Sequence, residues 1–183
     1  MRREAAAPEP WRSFFHAINE RLTTRVDLHC IGGFAFAMCH GLARPTGDID
    51  VLDVVPATQF DELLSLGGEG GSLARKYRVH IQKVSIVHLP ENYVVRLGEI
   101  FPGAYSRLRL FAPDPYDLAL SKLERNADQD FEDVKYLARA ASLDLDRLRT
   151  RYLSEQRAFV LRPERDDLTL QLWIDAIAEE RGA

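Results

Sequence analysis

Apolar residues recur at helical spacing from Trp11 to Leu22, with Trp11, Phe14, Phe15, Ile18 and Leu22 on one side. Thr23-Thr24 ends that pattern. Val26–Ile31 then reads as a short buried strand, closed by Gly32-Gly33. Phe34–Gly41 is compact and apolar, a short helix with Gly41 as its stop. Arg44-Pro45-Thr46-Gly47 is a turn-rich connection. Ile49, Val51, Val54 and Val55 then mark a central strand over Asp48–Val55. Pro56-Ala57-Thr58 opens a helix running to about Leu66, and Gly67–Ser72 is a flexible loop. Tyr77–Leu89 is a long β-rich run containing Val79, Ile81, Val84, Ile86 and Val87. Val94–Ile100 fits either pattern, and Ser106–Phe111 predicts one more strand before Pro113.

Beyond Pro113 the periodicity turns helical. Pro115–Arg125, Phe131–Ala141, Leu145–Tyr152 and Leu168–Ala178 are the predicted segments. The chain is therefore expected to be α+β. Residues 1–112 form a core around a mixed sheet of four or five strands, and 113–183 form a helical C-terminal region that packs on that core. Residues 1–10, rich in Ala, Pro and Glu, read as a mobile arm. No internal repeat is visible.

Composition narrows the function classes. The 183 residues are 46% hydrophobic, enough for a buried core, and the formal net charge is −4. That charge argues against a general nucleic-acid coat protein while leaving room for a local basic groove. Arg75, Lys76 and Arg78 cluster in one segment, and Arg147, Arg149, Arg151, Arg157 and Arg162 are spread along the tail. Most of these read as a solvated, mixed-charge surface. Cys30 and Cys39 are too few for a disulfide scaffold, and Cys30 reads as a small buried hydrophobe. The N-terminus lacks the apolar stretch of a signal peptide, and no run approaches a membrane span, so a cytoplasmic setting is expected.

The chemistry concentrates in Ile31-Gly-Gly-Phe-Ala-Phe-Ala and Arg44-Pro-Thr-Gly-Asp-Ile-Asp-Val. Gly32 and Gly33 sit between a strand and a helix, where backbone N–H groups without Cβ atoms nearby can approach a phosphate. Asp48 and Asp50 are two apart on a strand, so both carboxylates share one face. Two such acids repel unless a cation lies between them, and a hard divalent ion suits oxygen ligands. Arg44 and Thr46 stand just before them, placed either to orient Asp48, to contact phosphate or to cap the turn. Together, a phosphate turn and a metal strand can bring a triphosphate to a metal for in-line attack by an acceptor hydroxyl.

This Gly-Gly, helix, Arg-x-Thr-x-Asp-Ile-Asp-Val arrangement resembles the signature of the polymerase-β-like nucleotidyltransferase superfamily. It is most similar to the small bacterial branch related to abortive-infection and toxin–antitoxin nucleotidyltransferases. Asp114-Pro-Tyr-Asp-Leu-Ala-Leu-Ser-Lys122-Leu-Glu-Arg125, followed by Asp130-Phe-Glu-Asp133-Val, is similar to the helical motif of that branch. The resemblance implies a magnesium-dependent enzyme, with manganese as a substitute, that moves a nucleoside monophosphate from an NTP to an RNA end such as tRNA, a protein or a small molecule. By position it implies Asp48, Asp50 and Lys122 as catalytic groups, and Asp48 and Asp50 as metal ligands. Gly32, Gly33, Arg44, Thr46, Lys122 and Asp130 become the nucleotide contacts, with Asp133 the alternative to Asp130.

The chain departs from that family in one respect. Catalytic members carry a third carboxylate on a later strand, and Val79–His88 contains none. Asp53 lies on the other strand parity from Asp50 and faces away unless a bulge intervenes. His80, Gln82 or His88 are the residues available as substitutes. The alternative is therefore a catalytically impaired module acting with a partner protein in a bacterial defence or toxin–antitoxin system.

Overall fold

The computed structural model describes residues 7–84 and 87–182. Its elements, in chain order, are α1 (Trp11–Arg21), β1 (Val26–Ile31), α2 (Gly32–His40), β2 (Asp48–Val55), α3 (Phe60–Gly67), α4 (Ser72–Tyr77) and β3 (His80–Lys83). They continue with β4 (Gly98–Ile100), β5 (Leu108–Ala112), α5 (Pro115–Leu120), α6 (Asp128–Ala140), α7 (Leu145–Arg151) and α8 (Pro163–Gly182). The expected α+β class with a five-stranded mixed sheet is what the chain adopts.

These elements divide into two compact units. One holds 7–84 and 97–112; the other holds 87–96 and 113–182. In the first, the strands are ordered β3-β2-β1-β5-β4. β1 runs antiparallel to β2 and parallel to β5, while β3 is parallel to β2 and β4 antiparallel to β5. One face of this sheet is apolar, built from Leu28, Cys30, Ile49, Val51, Val54, Ile81, Leu108 and Leu110, all buried. α1 supplies Trp11, Phe14, Phe15 and Ile18 to the same core. Their rings meet edge-on or stacked, with Phe34 of α2 5.1 Å from Trp11 and Tyr77 of α4 6.2 Å from Phe14.

In the second unit, a buried ionic cluster ties the segment before β4 to the helices. Arg96 binds both oxygens of Asp117 at 2.8 and 3.1 Å, and Arg151 binds Asp114 at 2.6 Å and Asp117 at 3.3 Å. Asp114 also caps α5, accepting the N–H groups of Tyr116 and Asp117. Burial pushes the Asp117 carboxyl up despite these arginines.

Several sequence expectations change. The long β-rich run is interrupted: Tyr77 ends α4, Arg78 takes a left-handed cap (φ 59°), and among the described residues of the run only His80–Lys83 pair as a strand. Ser85 and Ile86 of that run lie outside the described residues, as do residues 1–6 of the expected arm. Residues 7–10 are held in place: Ala7 is buried, and the Glu9 carboxylate accepts from Arg12 at 2.8 Å and from the Ser13 N–H at 3.2 Å. The segment that fits either pattern resolves into a 3-10 turn at Glu91–Arg96 and the short strand β4. Among the described residues, no helix is long and apolar enough to cross a membrane.

Candidate functional site

Strand β1 passes into α2 with no loop between them. Gly32 makes this possible by taking φ +67°, a backbone shape that L side chains rarely adopt. The space beside it is already filled. A Cβ built on Gly32 would lie 2.0 Å from Asp50 Oδ2 and 2.9 Å from Asp50 Cγ. The ladder explains this closeness, because Ile31 is directly opposite Asp50 across the β1–β2 pair. Gly33 is framed in the same way: its Cβ position is 3.4 Å from an Arg44 guanidinium nitrogen and 3.6 Å from Thr46 Oγ1. The turn, the strand acid and the connection before it therefore meet at one place.

Asp48 and Asp50 are both half-buried, while Ile49 and Val51 between and beyond them are fully buried. The alternation expected from the sequence thus holds at the start of β2. Thr46 donates its hydroxyl to Asp48 Oδ1 at 2.7 Å. Of the roles open to Thr46, the geometry provides the orientation of Asp48. On the edge strand, His80 is opposite Asp48 and Gln82 opposite Asp50. His80 also donates its N–H to Gly47 O at 3.0 Å.

A β-bulge changes the reading of Asp53. Between His29 and Cys30 the β1–β2 register shifts, so that Asp53 is opposite His29 and Val51 opposite Cys30, with Leu52 left over. Buried positions then run Ile49, Val51, Val54. Asp53 consequently joins the polar face that carries Asp48 and Asp50, two ladder rows beyond Asp50. His29 on that row is buried, which lowers its pKa, while Asp53 and Asp27 work in the opposite direction. Cys30 faces the core, and burial pushes its thiol pKa up.

The donor set of Asp48 and Asp50 suits a hard cation: two carboxylates on one face, one of them steadied by a hydroxyl. Among the described residues, no group of three or more His, Cys, Asp or Glu side chains is arranged around a metal position. The remaining ligands would have to come from phosphate and water. Beside Arg44 and Thr46 opens a cavity of about 840 Å³, walled by Trp11, Met38, Leu42 and Phe101.

In the helical unit, Lys122 follows α5 and is 5% exposed. Its ammonium lies 3.0 Å from Asp133 Oδ2 and 3.2 Å from Asp130 Oδ1. Arg125 adds a bond to Asp130 at 2.8 Å, and the Ala127 N–H adds another at 3.0 Å. Burial alone would raise the Asp130 pKa, but Arg125, the Ala127 N–H and Lys122 together hold it below the usual carboxylate range. The second motif of the sequence is thus a buried, mutually neutralising group at the start of α6.

Residues 12–179 match the sequence model of the family described as "Nucleotidyltransferase of unknown function (DUF6036)". No solved structure matches the chain.

Proposed function

The chain belongs to this family of nucleotidyltransferases, and we propose that it transfers a nucleoside monophosphate from an NTP to an acceptor hydroxyl, using Mg²⁺ at Asp48 and Asp50. One observation carries the reading: the Asp50 carboxylate fills the space beside Gly32, at the point where β1 turns into α2. That contact sets the acid proposed to hold the ion against a turn whose N–H groups, with the helix behind them, favour phosphate oxygens.

In this reading Gly32 and Gly33 receive the phosphates, and Arg44 beside Gly33 adds positive charge there. Thr46 fixes Asp48 through its 2.7 Å hydrogen bond to Oδ1. The ion, when bound, offsets phosphate charge and makes the acceptor hydroxyl more acidic. The cavity beside Arg44 is of the size that takes a nucleoside. Lys122 and Asp130, nucleotide contacts by resemblance, are carried forward as proposals and tested separately below.

The test is a thermal-shift panel of ATP, GTP, CTP and UTP, with and without Mg²⁺. A ligand at about a hundred times its Kd stabilises by about 2.7 kcal/mol, a shift of a few degrees in a protein of this size. The expected result is a Mg²⁺-dependent shift that Asp50→Asn abolishes. A folded protein with no shift for any nucleotide would sink the proposal. Lys122→Met separates two roles: loss of the nucleotide shift marks a phosphate contact, whereas a lower melting point with the shift intact marks a structural one.

A second reading keeps nucleotide binding without turnover, in a module that works with a partner protein. It is favoured by the absence, among the described residues, of a third acid grouped with Asp48 and Asp50. Pyrophosphate release from NTP across candidate acceptors distinguishes the two.

A further inference from the structure

Eight large apolar side chains are exposed among the described residues, and five of them fall in one stretch of the helical unit: Leu153, Phe159, Leu161, Leu168 and Leu172. Scattered singly, such residues are ordinary; gathered together they mark a surface for association. The connection between α7 and α8 carries two of them. Its segment Arg157-Ala-Phe-Val-Leu-Arg162 holds two arginines and no acid. Val160 is 8% exposed and anchors the turn, while Phe159 at 66% and Leu161 at 71% stand in solvent. The turn is tied at both ends. Phe159 donates its N–H to Gln156 O at 2.9 Å, Arg157 binds Asp167 at 2.8 Å, and the Asp166 N–H donates to Arg162 O at 3.0 Å. Its apolar tip is thus presented in one shape, which lowers the entropic cost of inserting it elsewhere.

The same unit carries a groove of about 610 Å³ between the start of α6 and α8. It is lined by the rings of Phe131 and Trp173, stacked with centroids 6.0 Å apart, and by Leu172 and Ala176. Asp128 and Glu132 also line it, and among the described residues no lysine, arginine or histidine does. Lys135 holds Glu132 at 2.9 Å, so Asp128, exposed in the first turn of α6, is the acid open to a visiting cation.

We propose that two copies of the chain dimerise by exchanging this turn, with Phe159 and Leu161 of each entering the groove of the other and Arg162 meeting Asp128. The two surfaces are complementary: an apolar tip with arginines and no acid, against an apolar groove with acids and no base. Each copy offers one turn and one groove, so reciprocal exchange closes with two-fold symmetry. A partner of another sequence would cover one of the two surfaces, whereas a second copy covers both.

The experiment is the mass in solution by light scattering, over a concentration series that yields the dimer Kd. The wild type is expected to dimerise. Phe159→Glu with Leu161→Glu removes the tip, and Leu172→Lys blocks the groove; either change should halve the mass. These side chains are exposed, so the variants should fold, and melting points establish that they do. Charge reversal then tests the pairing itself. Arg162→Glu and Asp128→Lys should each raise the Kd by at least about tenfold, since like charges would meet, and the two combined in one chain should restore it.

Val95→Glu is the control for general stickiness: that side chain is 81% exposed outside this stretch, and the mass should not change. Asp50→Asn should also leave the mass unchanged, so this result is separate from that of the nucleotide site. A monomeric wild type overturns the proposal, as does a dimer that survives the loss of tip or groove. It is equally overturned if the two charge reversals add their losses instead of cancelling, or if Val95→Glu dissociates the dimer as well.

Discussion

At Gly32 a single residue carries two constraints at once. Its φ of +67° would cost an L side chain about 1–2 kcal/mol, and its missing Cβ leaves the volume that Asp50 occupies. Gly32→Ala should therefore lower stability by at least that amount and also displace the Asp50 carboxylate. Urea denaturation and the Mg²⁺–nucleotide shift should both register the change. Gly33 differs. Its φ is not left-handed, and a methyl there would meet Arg44 and Thr46 at 3.4–3.6 Å, close to ordinary contact. Gly33→Ala should keep or slightly raise stability, by up to about 1 kcal/mol, while weakening the nucleotide shift. Equal effects of the two substitutions on both measurements would refute this division of labour.

Among the elements, α6 shows how a charged sequence can become a buried one. Asp130 caps the helix through the Ala127 N–H and is held by Arg125 and Lys122, while Asp133 lies one turn on. Its pKa is depressed on folding, so its contribution to stability is present above the ordinary Asp value and is lost as pH falls through the lower, folded value. The stability difference between wild type and Asp130→Asn should shrink as pH is lowered through that range. A difference that does not change with pH would mean that the carboxylate's charge plays no part. Lys122→Met should cost about 3–5 kcal/mol, because it strips a cation from buried acids. Helical periodicity by itself does not show this. The partners lie 8 and 11 positions further on and meet it only once α5 and α6 are folded. β3 makes the complementary point: a continuous β-rich run yields only a four-residue strand, because α4 claims Tyr77 for the aromatic core and Arg78 caps that helix.

For the molecule as a whole, the chain does not divide at one point. Residues 87–96 belong with the helices although β4 and β5 follow them in sequence. Arg96 is the bond that matters most in this segment, because Asp117 is fully buried. Arg96→Ala should leave that carboxylate with Arg151 alone and cost about 3–5 kcal/mol by urea denaturation, with part of the loss recovered when Asp117→Ala is added. A fragment beginning at Pro113 lacks Arg96 and should melt below the intact chain. If it melted at the same temperature, the arginine would be dispensable.

The sequence by itself determined the elements whose pattern is local: the aromatic face of α1, the strand–Gly-Gly–helix passage and the alternation that sets Asp48 and Asp50 on one face. Spacing along a strand or helix fixes such relations without reference to the rest of the chain. Tertiary structure alone decided what depends on partners distant in sequence. The bulge at Leu52 is a property of the pairing between β1 and β2, so it could be allowed for but not located, and it moves Asp53 to the face of Asp50. The contact of Asp50 with Gly32 arises because antiparallel register places Ile31 opposite Asp50. The pairing of Arg96 with Asp117 was likewise not legible from the chain, where acids are plentiful. Which charge finds a partner is settled by distances in space, and those exist only after the chain has folded.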